Sequence, residues 1–244
     1  MGDASRTRWS RRESWISGSM PSMEEATGLR MRMVALLKDA GVLATPSIEK
    51  AMRQVPRHLF VSQVDVHCAY LDEAVTVKHA DDGSSMSSAS QPTMVATMLE
   101  HLQIASGDRV LEVGTGTGYN AALLSVLAGE TGSVVSVELE PDLAEGAQRI
   151  LAHVADHRVE VVTGDGQGGY RPRAPYDRVL VTTGAAEVAD SWTEQLAAGG
   201  RLVVPIVEPH GVGSIVVFDK IAGELERGAE SPCGFLPMRH APSP

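Results

Sequence analysis

The clearest chemical pattern in the sequence is a glycine-rich segment that joins a predicted strand to a predicted helix. Gly114, Gly116 and Gly118 permit a tight turn and allow a ligand to approach the backbone closely. The dinucleotide-binding fingerprint needs a further glycine at the position where this chain has Tyr119. Glu112 precedes the turn, and its carboxylate would repel a pyrophosphate. The segment therefore predicts a small-molecule site that does not bind a dinucleotide.

An acidic residue followed by three alternate glycines is typical of S-adenosylmethionine (SAM) methyltransferases. In this interpretation Glu112 holds the methionine ammonium group, directly or through water. Glu138 ends the next predicted strand, where a carboxylate can accept from both ribose hydroxyls; the alternative is an exposed loop acid. Asp165 follows the third strand and can accept from the adenine amino group, unless Gly164-Asp165-Gly166 is an ordinary turn. Ligands of open α/β sheets bind at the carboxyl ends of the strands, so all three positions converge on one crevice.

Apolar, β-branched segments that alternate with helical ones must position these residues. The predicted strands are residues 109–113, 134–138, 159–162, 178–182 and 202–206, and the predicted helices are 119–128, 141–154 and 187–196. Repeated β–α units predict an α/β, Rossmann-like SAM-dependent methyltransferase fold, with a mostly parallel seven-stranded sheet and helices on both faces. Residues 214–218 and 234–238 are predicted as strands without an intervening helix, so at least one should be antiparallel.

The residues before this sheet are predicted to form helices. Ser22 and Glu25 form a capping-box pattern for a helix that ends at Gly41 and whose inner face carries Leu29, Met33, Leu36 and Leu37. A second helix begins at Thr45-Pro46 and ends at Pro56, residues 81–90 are a loop, and residues 91–102 are a third helix. We expect a flexible arm over residues 1–21, a helical cap and linker over 22–80, and a SAM-binding methyltransferase domain with C-terminal strands over 81–244.

The composition excludes several classes of protein. Acidic residues outnumber basic ones by 31 to 21, and the net charge of −10 argues against nucleic acid as the main partner. Cys68 and Cys233 are too few for a disulfide scaffold or a four-ligand zinc site, and the histidines lack metal-ligand spacing, so no metal is expected. Apolar runs are far shorter than the ~18 residues of a membrane span, and no apolar stretch follows the N-terminal arginines. We therefore expect a cytoplasmic protein without a membrane partner.

The sequence also argues against a nucleobase as the methyl acceptor. Enzymes that methylate amino groups of nucleic acids usually carry Asn/Asp-Pro-Pro-aromatic after the fourth strand, where this chain reads Thr182-Thr183-Gly184-Ala185. Cytosine-C5 enzymes use a Pro-Cys nucleophile in the same region, whereas Pro232-Cys233 lies near the far end of the chain. Cys233 is therefore interpreted as a structural residue.

Several segments outside the glycine-rich turn match one methyltransferase family. These segments are residues 55–61, 69–70, 90–92, 110–120, 164–166, 174–177 and 199–205. From about Met23 to Ile206 the chain resembles the protein-L-isoaspartate O-methyltransferases. The resemblance implies that Ser90 is the catalytic residue, in contact with the substrate carboxyl group. It implies that SAM, which leaves as S-adenosylhomocysteine, binds to Ser88, Ala89, Gln91, Glu112, Gly114, Thr115, Gly116, Gly118, Asn120, Glu138, Leu139, Asp165 and Gly166. The implied partner is a peptide or protein with an Asp or isoaspartyl carboxylate.

Two segments depart from the family pattern. The family usually reads Gly-Gln/Glu-Thr-Ile-Ser before Gln/Ala-Pro, whereas residues 75–90 are longer and place Ser88 where threonine is usual. The ending over residues 233–239 also differs. Both segments resemble an actinobacterial branch associated with ribosomally made, modified peptides (lanthipeptides and graspetides), which implies methylation of an Asp in a cyclised precursor to give aspartimide or isoaspartate.

Two alternative functions and the role of two basic residues remain open at this point. The enzyme can instead repair isoaspartyl residues of damaged proteins in general, or the chain can be a SAM-binding module without catalysis. Lys78 and Arg57 can contact an acidic peptide, or they can be solvated charges.

Overall fold

The computed structural model of the protein describes residues 22–154 and 158–241, so the predicted arm over residues 1–21 lies outside the described residues. The first half contains the helices α1 (Met23–Asp39), α2 (Pro46–Gln54), α3 (Val66–Ala69) and α4 (Pro92–Leu102), with the strands β1 (Val75–His79) and β2 (Ser85–Ala89) between α3 and α4. The second half contains β3 (Arg109–Val113), α5 (Tyr119–Ala128), β4 (Ser133–Glu138), α6 (Pro141–Val154), β5 (Val159–Thr163), β6 (Tyr176–Val181), α7 (Asp190–Gln195), β7 (Leu196–Val207), β8 (Val212–Ile221) and β9 (Glu224–Gly234).

In the described part of the chain, β3 to β9 form one seven-stranded sheet with the order β5-β4-β3-β6-β7-β8-β9. The strands from β5 to β7 pair in parallel, and the pairs β7–β8 and β8–β9 are antiparallel. This arrangement confirms the predicted mostly parallel sheet. Since β4 lies on one side of β3 and β6 on the other, the strand order reverses at β3. Ligands of open α/β sheets bind at such a switch point.

The sheet has a buried core on each face, because alternate residues of its strands point to opposite sides. Val110 in β3 belongs to a cluster that includes residues of α4 and α5. Leu111, the next residue, belongs to a second cluster that includes Trp192 of α7. The buried Trp192 donates from Nε1 to the carbonyl oxygen of Gly166 at 2.8 Å. In this way α7 holds the turn after β5, which is one of the predicted site segments.

The first helix begins as predicted and presents a slightly different inner face. Ser22 Oγ accepts from the backbone N–H of Glu25 at 3.1 Å. Leu36, predicted to face inward, is 63% exposed, whereas Val34 is buried. With 3.6 residues per turn, the buried face is centred between Met33, Val34 and Leu37, and Leu36 falls outside it. No helix in the described ranges, α1 with its 17 residues included, is long and apolar enough to cross a membrane.

The prediction of a loop over residues 81–90 is wrong for residues 85–89, which form the strand β2. β2 pairs antiparallel with β1, from Val75 opposite Ala89 to His79 opposite Ser85. Serine side chains bond to nearby backbone and so favour turns, which is why a serine-rich segment reads as a loop. Here the backbone groups pair with β1 instead, and Val75 is a typical strand residue. Residues 75–89 are therefore a β-hairpin, which we call the serine hairpin.

Predicted boundaries also differ near the C-terminal end. The helix predicted over residues 187–196 is shorter, because the backbone of Ala185 still pairs with β7, and β7 begins six residues earlier than predicted. The strand predicted over residues 234–238 is wrong: β9 ends at Gly234, and Pro237 forms only an isolated bridge. β9 is a charged, exposed edge strand, so it lacks the alternating apolar pattern that identifies a half-buried strand.

Candidate active site

A cavity of about 640 Å³ opens at the carboxyl ends of β3, β4 and β6. Its volume lies in the range of small-molecule sites, roughly 300–1,000 Å³. The serine hairpin and the chain after β9 complete its wall. The lining includes residues 85–91, 113–117, 137–139 and 234–239, together with Arg57, Tyr119, Asn120, Gly166, Thr182 and Thr183.

The glycine-rich turn is bonded to the end of β4. Gly114 and Thr115 donate backbone hydrogen bonds to the carbonyl oxygen of Val137 at 2.9 and 3.2 Å. Gly114 has φ +100°, and an added Cβ would lie 2.6 Å from Oγ1 of Thr182. A side chain at this position therefore fits neither the backbone conformation nor the space. The turn presents bare backbone to the cavity on its other side.

Gly118 lies behind this wall rather than in it. It caps the N-terminus of α5 with φ +87°. An added Cβ would lie 3.2 Å from Ala147 and 3.1 Å from Leu151 of α6. Glycine at position 118 therefore allows α5 to pack closely against α6 directly after the turn.

Glu138 occupies the position expected from the sequence, at the end of β4 and in the cavity wall. Its Oε2 accepts from the backbone N–H of Gly116 at 2.7 Å, and its Oε1 accepts from that of Glu140 at 3.1 Å. A carboxylate offers about four acceptor sites, so capacity remains for donors of a ligand. The turn and Glu138 are thereby held in one geometry.

Glu112 lies one layer deeper than the cavity wall. Its carboxyl is completely buried and accepts from Ser136 Oγ at 2.5 Å and from Asn120 Nδ2 at 2.8 Å. Burial raises the pKa of Glu112 to about 7. Asn120 itself lines the cavity, so Glu112 orients a residue that faces a ligand.

Of the two residues predicted to bind the cofactor in the turn after β5, one lies in the cavity wall. Gly166 lines the cavity. The Asp165 carboxylate accepts from the backbone N–H groups of Gln167 at 2.9 Å and Ala241 at 3.0 Å. The chain after β9 therefore covers Asp165, and these hydrogen bonds lower the pKa of its carboxyl against the opposing effect of burial.

The segment expected to contact the acceptor lies in the same cavity. Ser88, Ala89, Ser90 and Gln91 all line it, where β2 passes into α4. The serine hairpin approaches the glycine-rich turn closely: a Cβ at Gly116 would lie 3.9 Å from Ser87 Oγ. Most of the predicted set therefore lies in the wall of one cavity, whereas Glu112, Gly118 and Asp165 are not part of its lining. The other predicted residues in the lining are Gly114, Thr115, Gly116, Asn120, Glu138, Leu139 and Gly166.

The interpretation of Lys78 and Arg57 as solvated charges is wrong. Lys78 Nζ lies 2.6 Å from both Glu140 and Asp142, and these bonds raise the pKa of Lys78. Arg57 has no exposed surface. The Glu140 carboxylate also accepts from Arg239 at 2.8 Å. Glu140 therefore ties the serine hairpin to the chain after β9. These residues are so distant in sequence that no local pattern indicates the link.

Cys233 has the features of a packing residue. It is buried at the end of β9, and burial raises the pKa of its thiol. Activated cysteine nucleophiles have lowered pKa values instead. Over residues 22–154 and 158–241, no three His, Cys, Asp or Glu side chains are grouped as they would be around a metal ion.

Comparison with known proteins identifies the family. The model of the protein-L-isoaspartate(D-aspartate) O-methyltransferases matches residues 29–242, which is most of the chain. The chain belongs to this family. The predicted family, the fold class and the class of activity, SAM-dependent carboxyl O-methylation, are thereby confirmed.

Relatives with this name share much of the sequence. The protein-L-isoaspartate O-methyltransferase of Methanopyrus kandleri is 39% identical over 210 residues, which are 86% of this chain and 90% of the relative. That of Methanoculleus marisnigri is 42% identical over 209 residues, with the same two coverages of 86% and 90%. A solved protein-L-isoaspartate O-methyltransferase is 34% identical with a TM-score of 0.78, and the match covers 86% of this chain and 66% of that chain.

A second solved structure shares the fold at lower identity. It is a putative protein-L-isoaspartate O-methyltransferase from Plasmodium falciparum in complex with S-adenosyl-L-homocysteine, 18% identical, with a TM-score of 0.73 over 87% of this chain and 99% of that chain. SAM is the methyl donor of this family of enzymes. The cavity of this chain fits such a cofactor, because a bare glycine backbone and a strand-end carboxylate lie side by side in its wall.

A Glu138→Gln variant should bind SAM about tenfold more weakly or worse, because hydrogen bonds to a charged acceptor are worth about 1.5–3 kcal/mol. Glutamine can still accept from Gly116 through its one carbonyl oxygen, so the turn should keep its place, although its NH2 group cannot accept from the N–H of Glu140. Isothermal titration with SAM measures the change. Glu224→Gln on the exposed strand β9 is the matched control and should bind SAM like the unmodified enzyme. An unchanged dissociation constant for Glu138→Gln would contradict the assignment.

A Glu112→Gln variant should become more stable relative to the unmodified protein as the pH rises. Burial raises the pKa of Glu112 from 4.5 to about 7, so ionisation in the folded state carries a penalty that grows across this pH window and persists above it. Glutamine can keep both bonds and removes the penalty, up to about 3 kcal/mol near pH 8 and almost nothing near pH 4.5. Urea unfolding at several pH values measures the difference. A difference independent of pH would show that ionisation is not involved.

Proposed function

We propose that this enzyme transfers the methyl group of SAM to the free carboxylate of an L-isoaspartyl residue in damaged proteins. One observation carries the proposal: the segment expected to meet the acceptor, residues 88–91, and the glycine-rich turn line one cavity in a chain of this family. The relatives described above carry the isoaspartate name, which supports the same acceptor.

Carboxyl methylation needs no general base from the protein. The acceptor carboxylate has a pKa near ~4 and is already ionised at neutral pH. SAM supplies an electrophilic methyl group on a sulfonium. The residues of the chain must hold the acceptor oxygen in line with that group and exclude water, which would weaken the attraction between the charges. The lack of a grouped His or carboxylate pair in the described cavity wall suits this chemistry.

The proposed roles follow from the positions of the residues. Glu138 and the backbone of the glycine-rich turn hold the cofactor, and Asn120, oriented by Glu112, contributes from the same side. Ser90 donates a hydrogen bond that orients the acceptor carboxylate. The serine hairpin and residues 234–239 exclude water, and Glu140 joins these two covers.

Methylation prepares the damaged residue for a reaction within the substrate. The ester has a better leaving group than the carboxylate had. The next backbone nitrogen of the substrate attacks the ester carbonyl, the C–N bond of a succinimide forms, and methoxide leaves with the amide proton as methanol. Water then opens the succinimide to Asp or isoaspartate. None of these steps requires a residue of the enzyme.

The narrower specialisation implied by residues 75–90 and 233–239, methylation of an Asp in a cyclised ribosomal peptide, has less support. The relatives with the highest similarity reported above are archaeal and named for isoaspartate. The longer segment over residues 75–90 forms a β-hairpin with two irregularities in its register, a shape that does not itself indicate a cyclic peptide. General isoaspartate methylation is therefore the reading that the relatives support better, and peptide tailoring is the alternative outcome of the test.

The acceptor is tested with matched peptides. The enzyme should methylate a short L-isoaspartyl peptide and leave the L-aspartyl peptide of the same sequence unmodified, as measured by mass spectrometry and by release of S-adenosylhomocysteine. Methylation of the aspartyl residue of a cyclised precursor, with no reaction on the isoaspartyl peptide, would replace repair by peptide tailoring. SAM binding without transfer to any peptide would indicate a module without catalysis.

A Ser90→Ala variant should lower kcat/KM for the isoaspartyl peptide about 10- to 100-fold while SAM binding stays within about twofold, because one hydrogen bond to a charged acceptor is lost. Steady-state kinetics and calorimetry give the two numbers. Ser47→Ala, on the exposed face of α2, is the matched control and should leave both unchanged. Normal turnover in Ser90→Ala, or loss of SAM binding, would contradict the role of Ser90.

A further inference from the structure

Arg57 is a fully buried cation at the edge of the cavity. It begins a short turn of 3₁₀-helix, Arg57–Leu59, and reaches the cavity wall without any exposed surface. Its Nη2 donates to the carbonyl oxygen of Ser90 at 2.8 Å and, more weakly, to that of Ala89 at 3.5 Å. Its Nε donates to the carbonyl oxygen of Ala69 at 3.0 Å. The guanidinium thus anchors the segment in which Ser90 lies.

The same guanidinium touches the cofactor side of the cavity. Its central carbon lies 5.0 Å from the centre of the Tyr119 ring, in a cation–π arrangement. Tyr119 is the first residue of α5 and directly follows the glycine-rich turn. Arg57 therefore joins the two halves of the cavity through direct contacts.

No carboxylate within the described residues forms an ion pair with Arg57. Its hydrogen bonds all go to carbonyl oxygens, and its Nη1 is buried without a hydrogen-bond partner. Asp72 is the acid whose charge acts on it, yet that carboxylate accepts from Thr93 and Gln91. A buried charge without a paired counter-ion is costly, and three neutral carbonyl groups do not by themselves require a cation.

Two other cations near the cavity are neutralised by pairing. Lys78 is paired with Glu140 and Asp142, and Arg239 is paired with Glu140. The protein as a whole carries a net charge of −10, which repels an acidic substrate. Of Lys78, Arg239 and Arg57, only Arg57 therefore has a positive charge that no carboxylate pairs with in the described residues.

We infer that Arg57 is a positioning residue for the methyl acceptor: its hydrogen bonds fix the Ser90 segment, and its unpaired charge attracts the acceptor carboxylate into the cavity. This inference rests on the proposed function. The two parts act on different kinetic constants. The transfer from sulfonium to carboxylate cancels both charges, so a fixed positive charge favours the bound carboxylate over the transition state and acts on KM. Alignment of the Ser90 segment acts on kcat.

Two substitutions separate the parts. Arg57→Met removes the charge and the hydrogen bonds, and it should raise the KM for the acceptor peptide about tenfold or more and also lower kcat. Arg57→Lys keeps the charge but cannot reproduce the planar fork, so KM should stay within about threefold while kcat falls about tenfold. SAM dissociation constants should stay within about threefold for both variants, because Arg57 is not itself among the residues expected to bind the cofactor. Arg53→Met, on α2 and paired with Glu49, is the control and should change neither constant.

The experiment uses whichever peptide, isoaspartyl or aspartyl, the unmodified enzyme methylates, with SAM saturating. Failure of the unmodified enzyme on the isoaspartyl peptide refutes the proposed acceptor alone. Equal KM increases in Arg57→Met and Arg57→Lys, or a loss of SAM binding in both, would assign Arg57 a structural role and overturn the inference. If Arg57→Met does not fold, Arg57→Lys decides: a raised KM with unchanged kcat overturns the inference, and a lowered kcat with retained KM supports it.

Discussion

The whole site depends on the backbone hydrogen bonds that attach the glycine-rich turn to the end of β4. The carbonyl oxygen of Val137 accepts from Gly114 and Thr115, and Glu138, the next residue, accepts from Gly116. These bonds attach the turn to the strand end, so the backbone of the turn and the Glu138 carboxylate are held side by side in the cavity wall. Only glycine permits this geometry at position 114, since Thr182 occupies the space of a Cβ.

Two covers complete the cavity, and electrostatics joins them. The serine hairpin contributes Lys78 and the chain after β9 contributes Arg239, and Glu140 binds both from the loop between β4 and α6. The acids of this group cancel its cations. Charge pairing therefore joins these two covers without making the cavity wall attractive to an anion. In our proposal the attraction comes from the sulfonium of SAM and from Arg57, a cation outside this pairing.

Local sequence predicts those parts of the structure that can be recognised from the residues of a single segment. The β-branched runs of β3, β4 and β6 show strands by composition, and the turn shows its glycines at fixed spacing, so the sheet and the position of Glu138 follow. The strand in the second half of the serine hairpin could not be predicted in this way, because its serines form a strand only through pairing with β1. The burial of Arg57 and the bond from Glu140 to Arg239 depend on long-range packing, and a charged residue read alone predicts a solvated one.

The proposed chemistry gives a reason for the arrangement of two carboxylates at the cavity: Glu112 lies behind its wall, and Glu138 lies in it. Any carboxylate in line with an electrophilic methyl group is itself a potential acceptor. Glu112 acts through Asn120, which cannot accept a methyl group as a carboxylate does, and Glu138 has both oxygens engaged by backbone N–H groups. Arg57 donates to the carbonyl oxygen of Ser90, so its proposed positioning of the acceptor segment is indirect, whereas its proposed attraction of the carboxylate acts through its charge. In the proposed reaction the substrate therefore presents the one carboxylate that is free to take the methyl group, as suits a reaction that consumes a positive and a negative charge together.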